Sequence, residues 1–197
     1  MKLAPLPSPT LSAHSLPKTT IARGTQLVRI HWPGKALFFG PAPKRPPRNR
    51  FDSQKHAFGA CYLADTTYGA FAESFLREGR VSVVTEAELQ QREWSMVEVR
   101  EELTLVPCHG KALSKLGTTS AISSGAYSRS RAWAASLHAH PDAPDGLRYR
   151  SRHDDDQLCI ALFDRAAQKV FVAETLPLLD PATGVIDAID RYEVAVK

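Results

Sequence analysis

The sequence predicts a single α+β domain in which short strands of mixed direction carry two or three packed helices. Three observations point there. Brief alternating or uniformly apolar runs recur along the chain, each too short for a core helix and bounded by Pro, Gly or Asp. Two longer segments, near residues 66–76 and 128–140, space their apolar side chains at helical intervals. GxGxxG, the Walker loop and GxSxG are all missing, which excludes a Rossmann dinucleotide unit, a P-loop and a nucleophile elbow. A chain of 197 residues buries roughly 70% of its unfolded surface and needs no disulfide or metal staple.

Residues 1–24 read as an irregular leader, since Pro5, Pro7, Pro9 and Pro17 interrupt the apolar helix that a signal peptide requires. The body runs from residue 25 to 197. Residues 27–32 alternate Val28, Ile30 and Trp32 with Arg29 and His31, a strand with an arginine at its centre. Pro33 ends it, and the Pro- and Gly-rich stretch to Asn49 is a long loop of the kind that serves a site. Residues 60–64 form a strand in which Tyr62 faces away from Cys61 and Leu63. Asp65 or Thr66 then caps a helix striped by Tyr68, Phe71, Ala72, Phe75 and Leu76. Glu73 lies off the centre of that stripe and faces solvent or a cleft.

Strands follow at residues 81–85, 96–99 and 103–106, with a polar helical segment at 86–93. Residues 128–140 form a helix stopped by Pro141, and Asp145 and Gly146 turn the chain into residues 147–150. The segment 157–164 is apolar from Leu158 to Phe163, as a strand buried on both faces should be, and 169–173 is expected beside it. A helix from about Ala182 and a strand from Tyr192 close the chain.

The formal net charge is +4, which favours an anionic partner without naming it. Lys44, Arg45, Arg48 and Arg50, broken by Pro46 and Pro47, form a basic loop rather than a helix face. Three cysteines with no CxxC pair argue against a disulfide framework and a zinc site, so a reducing cytoplasm is the expected setting and no metal is expected. The run His153, Asp154, Asp155, Asp156 does not change this, because consecutive side chains cannot all reach one ion. No apolar stretch approaches the roughly 18 residues of a membrane span.

Arg29, Arg50, Tyr62, Glu73 and Ser151 sit on several predicted elements, and spacing alone does not unite them. The segments around them do carry a resemblance. They are Leu27-Val28-Arg29-Ile30; Asn49-Arg50-Phe51-Asp52; Cys61-Tyr62-Leu63-Ala64-Asp65 running to Ala72-Glu73; Arg131-Ala132-Trp133-Ala134 leading to the stretch from Asp145 to Arg152; and the stretch from Cys159 to Asp164. In this order, over about residues 25–195, they resemble the RES domain family, named for an Arg, Glu and Ser signature. Where many members carry Arg-Trp-Asn, this chain has Arg50-Phe51-Asp52, so only Arg50 is carried over there.

The resemblance implies an ADP-ribosyltransferase-like fold and consumption of NAD by phosphorolysis or hydrolysis. It also implies the toxin half of a toxin–antitoxin pair, with a cognate antitoxin as partner. Glu73, Arg29 and Tyr62 would then be catalytic, and Arg29, Arg50, Tyr62 and Ser151 would bind substrate. The chemistry is consistent. A planar guanidinium grips a pyrophosphate by two parallel hydrogen bonds. A carboxylate beside the ribose stabilises the oxocarbenium-like state and can hold a ribose hydroxyl. Tyr62 can stack on the nicotinamide or bond the ribose, and Ser151 can position the amide or a phosphate. A pyridinium leaves as neutral nicotinamide and needs no proton donor, which gives His31, His56 and His153 little to do. Arg29, held mid-strand, is expected to be the rigid grip, and Arg50 a loop charge that closes over the ligand with help from its basic neighbours. The alternatives are the same site transferring ADP-ribose to a protein, and a nucleic-acid-binding module using the basic loop. Against the latter stand the modest charge and the lack of a groove-reading helix.

Overall fold

The computed structural model of the chain describes residues 3–41, 44–76 and 83–197. In chain order its elements are β1 (Thr19–Ile21), β2 (Gln26–His31), β3 (Ala60–Ala64), α1 (Thr67–Phe75), β4 (Val83–Val84), α2 (Glu86–Gln90), β5 (Glu93–Val99) and β6 (Leu103–Pro107). Then come α3 (Ala112–Leu116), α4 (Ala121–Ser124), α5 (Tyr127–His138), β7 (Gly146–Arg150), β8 (Leu158–Phe163), β9 (Val170–Pro177), α6 (Val185–Arg191) and β10 (Ala195–Val196). Eight strands make one sheet in the order β1-β6-β7-β8-β3-β2-β5-β9, and β4 and β10 pair separately. Within the large sheet only β6 and β7 run parallel.

β8 lies between β7 and β3, and its apolar run serves both faces of the sheet. Cys159, Ala161 and Phe163 join one buried cluster, with α1, α5 and α6, while Ile160 and Leu162 join the other, with Leu27, Cys61 and Leu63. Gly146 permits the β7–β8 contact: a Cβ there would stand 2.4 Å from the Ala161 carbonyl oxygen, so only glycine fits. Thr66 rather than Asp65 caps α1, its hydroxyl oxygen accepting from the Gly69 amide at 3.1 Å. Asp65 instead pairs with Arg148.

Four expectations need correction. The segment after β8 does not return beside it, because β8 already has a neighbour on each side. A 3-10 turn over Asp164–Lys169 carries the chain away, and β9 pairs with β5 at the sheet edge. The leader is irregular as far as residue 18, apart from a 3-10 turn at Leu11–Ala13, but Thr19–Ile21 adds an edge strand to β6. It is also anchored, for Trp133 Nε1 donates to the Pro5 carbonyl at 2.8 Å and the Leu16 amide to Asp142 at 3.0 Å. Helices outnumber the two or three expected, since α3 and α4 span about one turn each and leave no periodic signal. Of the expected strand at 81–85, Val83 and Val84 form β4, and residues 81–82 lie outside the described residues.

Candidate active site

β2 pairs with β5 along its whole length, from Gln26↔Glu98 to His31↔Glu93. With β3 it meets at one register point, Val28↔Ala64. Beyond that point the two strands part, and a cleft of about 560 Å³ occupies the opening. Residues 32–39 leave the end of β2 and return to Gly40, which bridges Ala60. α1 supplies another wall. Its Gly69 lets the helix approach β3, since a Cβ there would lie 3.1 Å from that of Ala64.

Glu73, on α1, is exposed toward this cleft. Its carboxylate is held from behind: Ser151 Oγ donates to Oε1 at 2.7 Å and Tyr149 OH to Oε2 at 3.2 Å. Residues two apart on an extended chain face one way, so the end of β7 presents both hydroxyls to the same acceptor. Burial, and then Glu73 itself, push the Tyr149 phenol well above its ordinary range, so it stays protonated and remains a donor. Ser151 is 2% exposed. Its hydroxyl lies against Glu73 rather than on the cleft lining.

Arg29 and Arg50 both line the cleft, Arg29 mid-strand as expected and Arg50 in a setting opposite to the one expected. Arg50 is 6% exposed. Its Nη1 donates to the Gly125 carbonyl at 2.6 Å and to Ser130 Oγ at 3.3 Å, and its guanidinium lies 4.5 Å from the Tyr127 ring centre. Nη2 is buried with no hydrogen-bond partner. Lys44, Arg45 and Arg48 are exposed, so Arg50 is a fixed, desolvated cation where a mobile surface charge was expected. Arg29 is half-buried; its Nη1 contacts Cys61 Sγ at 2.5 Å and the Phe38 carbonyl at 3.5 Å.

Tyr62 also lines the cleft, but its hydroxyl is fully engaged. It donates to Asp52 Oδ1 and accepts from the Phe51 amide, each at 2.9 Å. Asp52 Oδ2 accepts from the Arg48 and Asn49 amides at 2.9 and 2.8 Å. The phenol therefore ties the Arg50 loop to β3 and is not available to a ribose, which leaves only its ring to meet a ligand. Phe51, fully buried, and Asp52, 1% exposed, are structural at the positions where the chain departs from Arg-Trp-Asn.

His31 faces the Trp32 carbonyl through Nδ1 and Ser95 Oγ through Nε2, both at 2.8 Å. A carbonyl only accepts, so the proton sits on Nδ1, and burial keeps the ring neutral by lowering its pKa. His153 lines the cleft, whereas Asp154 turns to Tyr192 and Arg191 of the chain end. No group of three or more His, Cys, Asp or Glu able to hold a metal occurs among the described residues, and no described helix is long and apolar enough to cross a membrane. Of the described residues lining the cleft, Glu73 is the only acidic one, facing Arg29, Lys35, Arg50, Arg92 and Arg152. Sequence reasoning missed Tyr149, Asp52 and Arg92. Only Tyr149 left a signal, its two-residue spacing from Ser151.

Fold and cleft together define a single α+β domain whose parted sheet holds one oriented carboxylate among arginines. The profile of the RES domain matches residues 26–180, and the chain belongs to that family. A protein named Probable toxin y4kH, from Sinorhizobium fredii (strain NBRC 101917 / NGR234), is 30% identical over 111 residues, covering 56% of this chain and 87% of that one. A chain in the crystal structure of the M. tuberculosis MbcT-MbcA toxin-antitoxin complex superposes with a TM-score of 0.58 at 16% identity, covering 83% of this chain and 88% of its own. That likeness concerns the fold.

Proposed function

We propose that this protein destroys NAD by cleaving the bond between nicotinamide and ribose, and that it is the toxin of a toxin–antitoxin pair. One observation carries the reading: one carboxylate, Glu73, fixed by two hydroxyl donors in a cleft whose other charged lining residues, among those described, are cations. The pyrophosphate of NAD is dianionic and matches those cations, with Arg50 already desolvated and holding an unused donor. As the C1′–N bond breaks, its electron pair returns to the pyridine nitrogen and neutral nicotinamide leaves. Positive charge then spreads over C1′ and the ring oxygen, where the Glu73 carboxylate stabilises it. An oxygen of inorganic phosphate, or of water with loss of a proton, adds to C1′. Donors to both carboxylate oxygens keep Glu73 oriented before the reaction, so little reorganisation is needed at the transition state.

Membership of the RES family supports the NAD chemistry. The named toxin relative and the toxin–antitoxin complex support the biological role and a cognate antitoxin as partner. The test is incubation of purified protein with NAD, with and without inorganic phosphate. Release of nicotinamide is expected, the second product being ADP-ribose 1″-phosphate if phosphate attacks and ADP-ribose if water does. A folded protein that leaves NAD intact under both conditions refutes the reading, and label appearing on protein would redirect it to ADP-ribosyl transfer.

A further inference from the structure

Three large aromatic side chains are exposed among the described residues, Trp32, Phe38 and Tyr127, and all three line the cleft. Each lies against a cation: Arg92 is 3.8 Å from the Trp32 ring centre, Lys35 5.0 Å from Phe38, and Arg50 4.5 Å from Tyr127. Two of these pairs have different electrostatic neighbours. Arg50 is electrostatically coupled to Glu73 and Tyr149, so Tyr127 belongs to the reacting end. Arg92 feels Glu88 instead, and acts on His31 together with Arg29 and Glu93. Trp32 is four residues beyond the β2–β3 contact at Val28, about 13 Å along an extended chain. Arg29 lies between.

We propose that Trp32 and Arg92 form the subsite for the adenine-nucleotide half of the dinucleotide, the purine stacking on Trp32. Trp32 is 51% exposed although its ring rests on a guanidinium, so half its surface remains open to a ligand. Arg92 also reaches Phe75, 5.8 Å from the ring centre, and its Nε is buried without a partner. Two aromatic rings pack against the guanidinium, and its charge lies behind the Trp32 ring. A neutral purine carrying an anionic phosphate suits this combination: the base stacks on the tryptophan face that Arg92 leaves open, and the nearby positive charge favours the phosphate. With Glu73 at one end and Trp32 at the other, the cleft measures the whole dinucleotide and disfavours its nicotinamide mononucleotide half alone.

This inference rests on the proposed NAD chemistry, and two experiments separate their failures. The first needs no turnover. Of the three tryptophans, Trp94 and Trp133 are buried at 7% and 0% exposure, so saturable fluorescence quenching by AMP is expected to report Trp32 and to vanish in W32F. The second compares kcat/KM for NAD with that for nicotinamide mononucleotide. W32A and R92A are each expected to lower the ratio by roughly 5- to 150-fold, the usual effect of losing one base-stacking side chain. W32F should restore most of it. The proposal is overturned if AMP fails to quench the wild-type protein, if quenching persists in W32F, or if W32A and R92A leave the ratio within twofold of wild type. Quenching by AMP in a protein that turns over neither nucleotide would support the subsite and refute the NAD chemistry.

Discussion

Replacing Arg50 by lysine sets burial against sequence neighbourhood. Lys44, Arg45 and Arg48 beside it are exposed, yet Arg50 is 6% exposed and uses Nη1 on Gly125 and Ser130 while Nη2 stays unpaired. Lysine ends in one nitrogen. Its three donors radiate from one point, so it cannot fill the Nη1 position on Gly125 and the Nη2 position at once. A hydrogen bond from a charged donor contributes roughly 1.5–3 kcal/mol, and removing one preorganised contact from a reacting centre costs about 10²- to 10³-fold in rate. R50K is therefore expected to lose at least about 10²-fold in kcat/KM for NAD. Desolvation already depresses the Arg50 pKa, and a charge so buried is little screened by salt. The loss should stay constant as ionic strength rises, whereas that of R29K, at a half-exposed position, should vary with salt. Steady-state kinetics of both variants from low to high salt decide the matter. An R50K defect that deepens with salt, beside an R29K defect that does not, would make Arg50 a surface charge in function and refute the argument from burial.

Ser151→Ala should lower kcat by about tenfold with little change in KM, because it frees one oxygen of Glu73 without touching substrate. Tyr149→Phe should do less, its bond being the longer at 3.2 Å. In a Glu73→Gln background both effects should shrink, a non-additivity that kinetics of the double variants would reveal. Asp52→Asn loses charge-assisted bonds to two backbone amides of the Arg50 loop. It is expected to cost roughly 1–3 kcal/mol in denaturant unfolding; an unchanged midpoint would sink the role given to that loop. His31, with its pKa depressed by burial, takes up a proton more readily when unfolded. The stability this adds is complete above the ordinary histidine pKa and is lost as pH falls through the lower folded value. His31→Asn should flatten the decline in melting temperature between about pH 7 and 5, and an equally steep decline in that variant would rule out His31 as its source.

What could be read from the chain divides by the distance over which the physics acts. Alternation within five or six residues was enough for β2 and β3, and for setting Tyr62 opposite Cys61, because a strand's two faces are decided locally. Glu73 was readable as lying off the apolar stripe of α1 for the same reason. The contacts that turn these residues into a site act over longer separations. Arg50 looks solvated among basic and proline neighbours, and it is buried by Gly125, Tyr127 and Ser130, at least 75 residues away. Tyr62 looks available to a ligand until Asp52 and the Phe51 amide take both sides of its hydroxyl. Hardest of all is the cleft, which exists because β2 keeps its full pairing with β5 and only one register point with β3. No residue on either strand encodes that parting. The gap is bordered by distant segments, the return of residues 32–39 to Gly40 and the close approach of α1 that Gly69 permits, so a reading of single strands predicts the walls of the site and misses the opening between them.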